Sequence, residues 1–124
     1  PKGYEPNASV INKAKKINKN ANLLKIYDDP HEAVSGANVL YTDVWSSMGE
    51  ENQKIEKEKD FDGFVINNNL MKKANNDVIV LHCLPAYRSR EISDEVIESK
   101  NSRVFDQAEN RMHVQQALLA SLIS

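Results

Sequence analysis

The chain has 124 residues, 27% of them charged, with a formal net charge of −2; that suits one small domain with a modest core and gives no basic field for nucleic acid. No apolar run approaches the roughly 20 residues of a membrane-spanning helix, and one cysteine cannot close an internal disulfide, so a reducing, cytoplasmic compartment is the simplest reading. The opening Pro1-Lys2-Gly3-Tyr4-Glu5-Pro6 has no apolar signal core and no initiator methionine, from which we expect a piece of something longer.

In chain order, Asn7 is placed to cap a first helix in which Val10, Ala14 and Ile17 share a face. Lys13, Lys15 and Lys16 lie mostly around its solvated side. Residues 23–27 read as a short strand that ends in the turn-prone Asp28-Asp29. Asp29 then caps, and Pro30 begins, a short helix through Ala33 that Gly36 ends. Residues 39–43 read as a buried strand, followed by Val44-Trp45-Ser46-Ser47-Met48-Gly49-Glu50. The charged stretch 50–60 reads as a solvated helix, supported by Glu50 and Lys54 four residues apart.

Asn67 is placed to cap another short helix through Lys73, closed by the Asn75-Asn76-Asp77 turn. Residues 78–82 form an apolar run ending in histidine, the pattern of a strand buried on both faces of a parallel sheet. Ser93 caps a brief helix through Glu98, with Asp94 and Glu95 suited to its dipole. Val104-Phe105 reads as a last short strand. A terminal helix over about 109–123 then carries a stripe of Val114, Ala117, Leu118 and Leu122. Strands separated by helices predict an α/β fold, a parallel sheet flanked by helices. Such sheets place ligands beyond the carboxyl ends of their strands, where Asp43, His82 and Cys83 fall.

Each of these residues has two readings. Asp43 either caps the loop after it or accepts charge-assisted hydrogen bonds from an ammonium. Ser47-Met48-Gly49 is either an ordinary surface loop or one that closes over a ligand and offers it a hydroxyl and backbone amides. Cys83 is either a small buried hydrophobe or an active thiol. A His82–Cys83 dyad requires the strand to bend, because adjacent strand side chains point to opposite faces. Arg111 is either a surface ion-pair partner or a contact for phosphate and carbonyl oxygens. Trp45 and His113 read as structural, and Arg88 and Arg90 as surface residues. One cysteine and three scattered histidines lack metal-ligand spacing, so no metal site is expected.

Three blocks stand in register: Asp43-Val44-Trp45-Ser46-Ser47-Met48-Gly49-Glu50, His82-Cys83-Leu84-Pro85-Ala86, and Asp106-Gln107-Ala108-Glu109-Asn110-Arg111-Met112-His113. In this order and spacing they resemble the ornithine carbamoyltransferases, and the resemblance runs through essentially the whole chain. It implies the second domain of the aspartate/ornithine carbamoyltransferases, truncated: part of a doubly wound parallel sheet, with two further strands between 23–27 and 39–43. Residues 1–124 would be the C-terminal portion of the ornithine-binding domain. The N-terminal carbamoyl-phosphate domain would be absent, since nothing here matches its Ser-Thr-Arg-Thr motif.

The reaction so implied is attack by the δ-amine of L-ornithine on carbamoyl phosphate, giving L-citrulline and phosphate. The amine must be neutral to attack, although an alkyl ammonium has a pKa of about 10.4. The resemblance assigns ornithine to Asp43, Ser47, Met48, Cys83 and Leu84, and carbamoyl phosphate to Arg111 and His82. Cys83, Arg111 and His82 are the implied catalytic set. It also implies no cofactor, a trimer-based homo-oligomer, a role in arginine metabolism, and no membrane or nucleic-acid partner. This chain alone is expected to be inactive. The rival readings are a carbamoyltransferase for putrescine or aspartate, and a non-enzymatic amino-acid-binding module. The Ser-Met-Gly loop argues against putrescine, His-Cys-Leu-Pro-Ala against aspartate, and the presence of Arg111 and His82 against the module.

Overall fold

The computed structural model describes residues 1–18, 23–46, 49 and 54–123. Three of its helices start where a side chain takes up free backbone N–H groups. Helix α1 (Ala8–Ile17) begins at Asn7, which accepts from the Ser9 N–H at 2.8 Å. Helix α2 (Pro30–Ala33) begins at Asp29, which accepts from the His31 N–H at 2.7 Å, with Pro30 in the first position. Such caps contribute about 1 kcal/mol each. After α2 the chain turns at Gly36, whose φ of 70° suits a residue without Cβ.

Strand β1 (Val39–Thr42) follows, then α3 (Lys54–Asp60) and α4 (Asn68–Met71). Asn67 caps α4, accepting from the Asn69 and Leu70 N–H groups at 3.0 Å each. Strand β2 (Ile79–His82) pairs in parallel with β1, from Val39 opposite Ile79 to Thr42 opposite His82. On its other side Val80 donates to the Asn101 carbonyl at 2.9 Å and accepts from the Arg103 N–H at 2.8 Å. This gives an isolated parallel bridge between Val80 and Ser102. The centre of the sheet is therefore β2, with α5 (Asp94–Ile97) and α6 (Val104–Ile123) completing the order. Ser93 precedes α5 as expected, but its hydroxyl makes no capping bond.

Val34, Ile66, Leu70, Val80, Ile92, Val96, Ile97 and Val104 form one buried cluster. Each such aliphatic side chain contributes about 1.5–3 kcal/mol on burial. A second, aromatic group surrounds Phe61. Trp45 stacks on Phe61 at 5.9 Å, and Tyr4 and Phe64 meet the same ring at 4.8 and 5.9 Å. Trp45 is thus packed against another ring, a contact of the structural kind that its sequence setting suggests. Among the described residues, no helix is long and apolar enough to cross a membrane.

Four expectations change. Residues 23–27 form no strand, because among the described residues no neighbouring backbone takes up their N–H and C=O groups; a parallel strand needs such a neighbour. Val104-Phe105 is the first turn of α6, not a strand. Its β-branched valine reads as strand from propensity, but burial against the core decides. The pairing segment lies just before it, at 101–103. Strand β1 is open on one face, with Val39 and Tyr41 exposed. The α6 stripe is also exposed, with Leu118 at 57% and Leu122 at 73%. Glu50, expected to pair with Lys54, lies outside the described residues.

Core and stripe should therefore respond differently to truncation. Ile92→Ala, at a fully buried position, should cost about 2–5 kcal/mol in urea unfolding of the chain. Leu118→Ala should stay within about 0.5 kcal/mol. Equal losses at both sites would contradict this burial pattern.

Candidate active site

Since Thr42 pairs with His82, Asp43 and Cys83 are the first residues beyond two aligned strand ends. One donor atom from each of Asp43, His82 and Cys83 lies within 4.8 Å of the others. The chain bends at this point: Leu84 has φ 55°, and the Leu84–Pro85 peptide is cis. A bulky residue in the left-handed region costs roughly 1–2 kcal/mol, so something must hold it there. His82 Nδ1 does, accepting from the Leu84 N–H at 2.9 Å.

An imidazole that accepts at Nδ1 carries its proton on Nε2 when neutral. His82 Nε2 lies 3.1 Å from Glu91 Oε1, which also accepts from the Tyr87 N–H at 2.5 Å. His82 and Glu91 are both fully buried, and Glu91 Oε2 has no partner among the described residues. The bend that a His82–Cys83 dyad would need is present, but both ring nitrogens are already engaged. The same engagement argues against a metal at Asp43, His82 and Cys83. Without the ring only two donors remain, short of the four that a structural zinc takes.

Burial, and then the hydrogen bond and negative charge of Asp43, push the Cys83 thiol up, partly offset by Tyr41. Nucleophilic cysteines act as thiolates; this one is held as a thiol. Asp43 is exposed, and its Oδ1 accepts from the Val44 N–H at 2.7 Å. This local bond coexists with the approach of Asp43 to His82 and Cys83.

The start of α6 at Val104 puts Arg111 about two turns into the helix rather than at its beginning. The exposed Arg111 donates from Nη1 to the Cys83 carbonyl at 3.3 Å. With Cys83, Leu84, Pro85 and Met112 it lines an open cleft of about 780 Å³. Asp43, His82, Cys83, Leu84 and Arg111 are therefore brought together, while Ser47 and Met48 lie outside the described residues.

The other singled-out residues fall elsewhere. Arg88 pairs with Asp94 and Glu98, Arg90 with Glu58, and His113 with Glu109. Glu91 is the residue that sequence reading missed. Its setting, Arg88-Ser89-Arg90-Glu91, has the composition of a solvated loop, and no local signal marks its burial.

Residues 1–122 match the family model described as aspartate/ornithine carbamoyltransferase, Asp/Orn binding domain. The chain is 73% identical over 124 residues to an ornithine carbamoyltransferase of Prochlorococcus marinus (strain MIT 9312), covering 100% of this chain and 40% of that protein. It is also similar to the solved ornithine carbamoyltransferase of Pyrococcus furiosus, with a TM-score of 0.83 and 48% identity. That likeness covers 97% of this chain and 39% of the other. A third relative is the anabolic enzyme of Campylobacter jejuni, with a TM-score of 0.86 and 41% identity over 98% of this chain and 41% of that one. The chain thus spans about two fifths of the length of the relatives it matches.

Alkylation tests the state of Cys83, because iodoacetamide consumes the thiolate. A raised pKa means less thiolate at any given pH, so the reaction should set in above the pH expected for free cysteine, pKa about 8.5. Asp43→Asn removes a charge that holds the proton on, and should move the profile to lower pH. A wild-type profile at or below that of free cysteine would refute the thiol assignment.

Proposed function

Because the chain belongs to the aspartate/ornithine carbamoyltransferase family, we propose that it provides the amine-binding side of an ornithine carbamoyltransferase site. The observation that carries this reading is the meeting of Asp43, Cys83, Leu84 and Arg111 at the ends of β1 and β2. Asp43 presents a carboxylate to the α-ammonium of L-ornithine. Ser47 and Met48 serve the other polar end of the amino acid. Holding that end firmly aims the δ-nitrogen, and positioning of this kind is a large share of rate enhancement.

At the reacting end, the Cys83 thiol and the Leu84 carbonyl orient the δ-amine in its neutral form. The amine attacks the carbonyl carbon of carbamoyl phosphate. A C–N bond forms, the C–O bond to phosphate breaks, and the departing phosphate takes the amine's proton. Arg111 offers a fixed fork of donors to the carbamoyl phosphate oxygens as charge moves onto them. His82 supports the carbamoyl end through the turn it holds, since its ring nitrogens are already engaged. No covalent enzyme intermediate is needed. The cytoplasmic, trimer-based assembly and the place in arginine metabolism belong to the same proposal.

Three measurements test it. With ornithine and carbamoyl phosphate, the 124-residue chain alone should form no citrulline above background, and turnover abolished by changing Cys83 or Arg111 would overturn that expectation. In the full-length enzyme carrying this segment, ornithine should be carbamoylated in preference to putrescine and aspartate. There Asp43→Asn should weaken ornithine use by about 1.5–3 kcal/mol, roughly 10–150-fold in KM. Arg111→Lys keeps the charge but loses the fork, and should instead lower turnover and carbamoyl phosphate use. Unchanged ornithine KM in Asp43→Asn would remove its assigned role, and unchanged carbamoyl phosphate kinetics in Arg111→Lys would make Arg111 a surface residue.

A further inference from the structure

Glu91 has no part in the reaction as described, yet it is fully buried against His82. Hiding a carboxyl group is costly unless its oxygens are hydrogen-bonded. Here one oxygen, Oε1, takes both bonds, from the Tyr87 N–H at 2.5 Å and facing His82 Nε2 at 3.1 Å. Both run into the segment that frames the site.

The consequence follows from the two nitrogens of imidazole. An acceptor at Nε2 favours the tautomer with its proton there, which leaves the Nδ1 lone pair open. That lone pair accepts from the Leu84 N–H at 2.9 Å. With the proton on Nδ1 instead, two N–H groups would face each other and Leu84 would lose what holds its left-handed backbone. Leu84 follows Cys83 directly, and the Cys83 carbonyl takes the Arg111 contact at 3.3 Å. A shift at Leu84 therefore moves the thiol, a carbonyl and the arginine together.

We propose that Glu91 is a positioning residue that sets the tautomer of His82, and thereby holds the Cys83–Leu84 turn in the shape that receives the substrate amine. Only this last link rests on the ornithine reading; the tautomer link stands by itself.

Two substitutions in the full-length enzyme separate the links. Glu91→Gln keeps an oxygen in the place of Oε1 and puts its amide nitrogen at Oε2, which has no partner among the described residues. Glu91→Leu keeps bulk but removes the acceptor. In nitrogen-15 spectra of labelled histidine, wild type and Glu91→Gln should show His82 neutral and protonated at Nε2, and Glu91→Leu should lose that signature. Turnover should stay close to wild type in Glu91→Gln. In Glu91→Leu, kcat should fall and ornithine KM rise, together by roughly 100-fold in kcat/KM, with carbamoyl phosphate KM unchanged.

A wild-type His82 that is protonated at Nδ1, or doubly protonated, overturns the proposal whether or not the leucine variant folds. So does a folded Glu91→Leu enzyme that loses thermal stability but keeps both KM values, which is what a merely structural role predicts. Loss of turnover in Glu91→Gln with the tautomer retained would also overturn it. Absence of citrulline with wild type would instead sink the ornithine reading, leaving the spectra to judge the tautomer link.

Discussion

The register of β1 against β2 is the constraint from which the site follows. Pairing Thr42 with His82 makes the two strands end level, so the next residue of each, Asp43 and Cys83, emerges at the same height. A slip of one residue would turn every side chain of a strand to the opposite face. It would carry His82 away from Glu91 and Leu40 away from the cluster it packs against. The start of the pairing is anchored where the Asn38 carbonyl accepts from the Ile79 N–H at 3.0 Å, and β2 is fixed on its far side by the bonds of Val80 to Asn101 and Arg103.

Around that frame the costly features are gathered in one place. A leucine with positive φ, a buried carboxyl group with one oxygen unpartnered among the described residues, and a thiol held in its protonated form all lie within residues 82–91. Strain of this kind persists where surrounding contacts over-determine it, and such places are often functional. The core offers those contacts: Ile92, next to Glu91, and Val80, two residues before His82, are both fully buried. The apolar cluster thus holds the frame, while the polar bonds choose its shape.

What the sequence conveyed depended on how local the physics was. The caps at Asn7, Asp29 and Asn67 were legible because a cap bonds N–H groups two or three residues away. Both strands of the sheet and their polar tips were legible from apolar runs that end abruptly. Residues 23–27 have the composition of a strand, but pairing is a property of two segments, and the described chain offers them no neighbour. Val104 was misread because burial in a helix and burial in a strand select the same valine. Asp43, Cys83 and Arg111 could be singled out by residue type and motif. Glu91 could not, since its role is to hold another side chain, and that relation is invisible until the loop is closed.

The aromatic group has a consequence for how motion at this site could be followed. Trp45 is the chain's only tryptophan, and it lies two residues beyond Asp43. Its ring rests on Phe61, just past the end of α3, and not in the aliphatic cluster. Its ultraviolet emission therefore reports the docking of Phe61 against the segment that follows Asp43. The chain carries a built-in fluorophore in the segment that follows Asp43, packed in the aromatic group rather than among the core aliphatics.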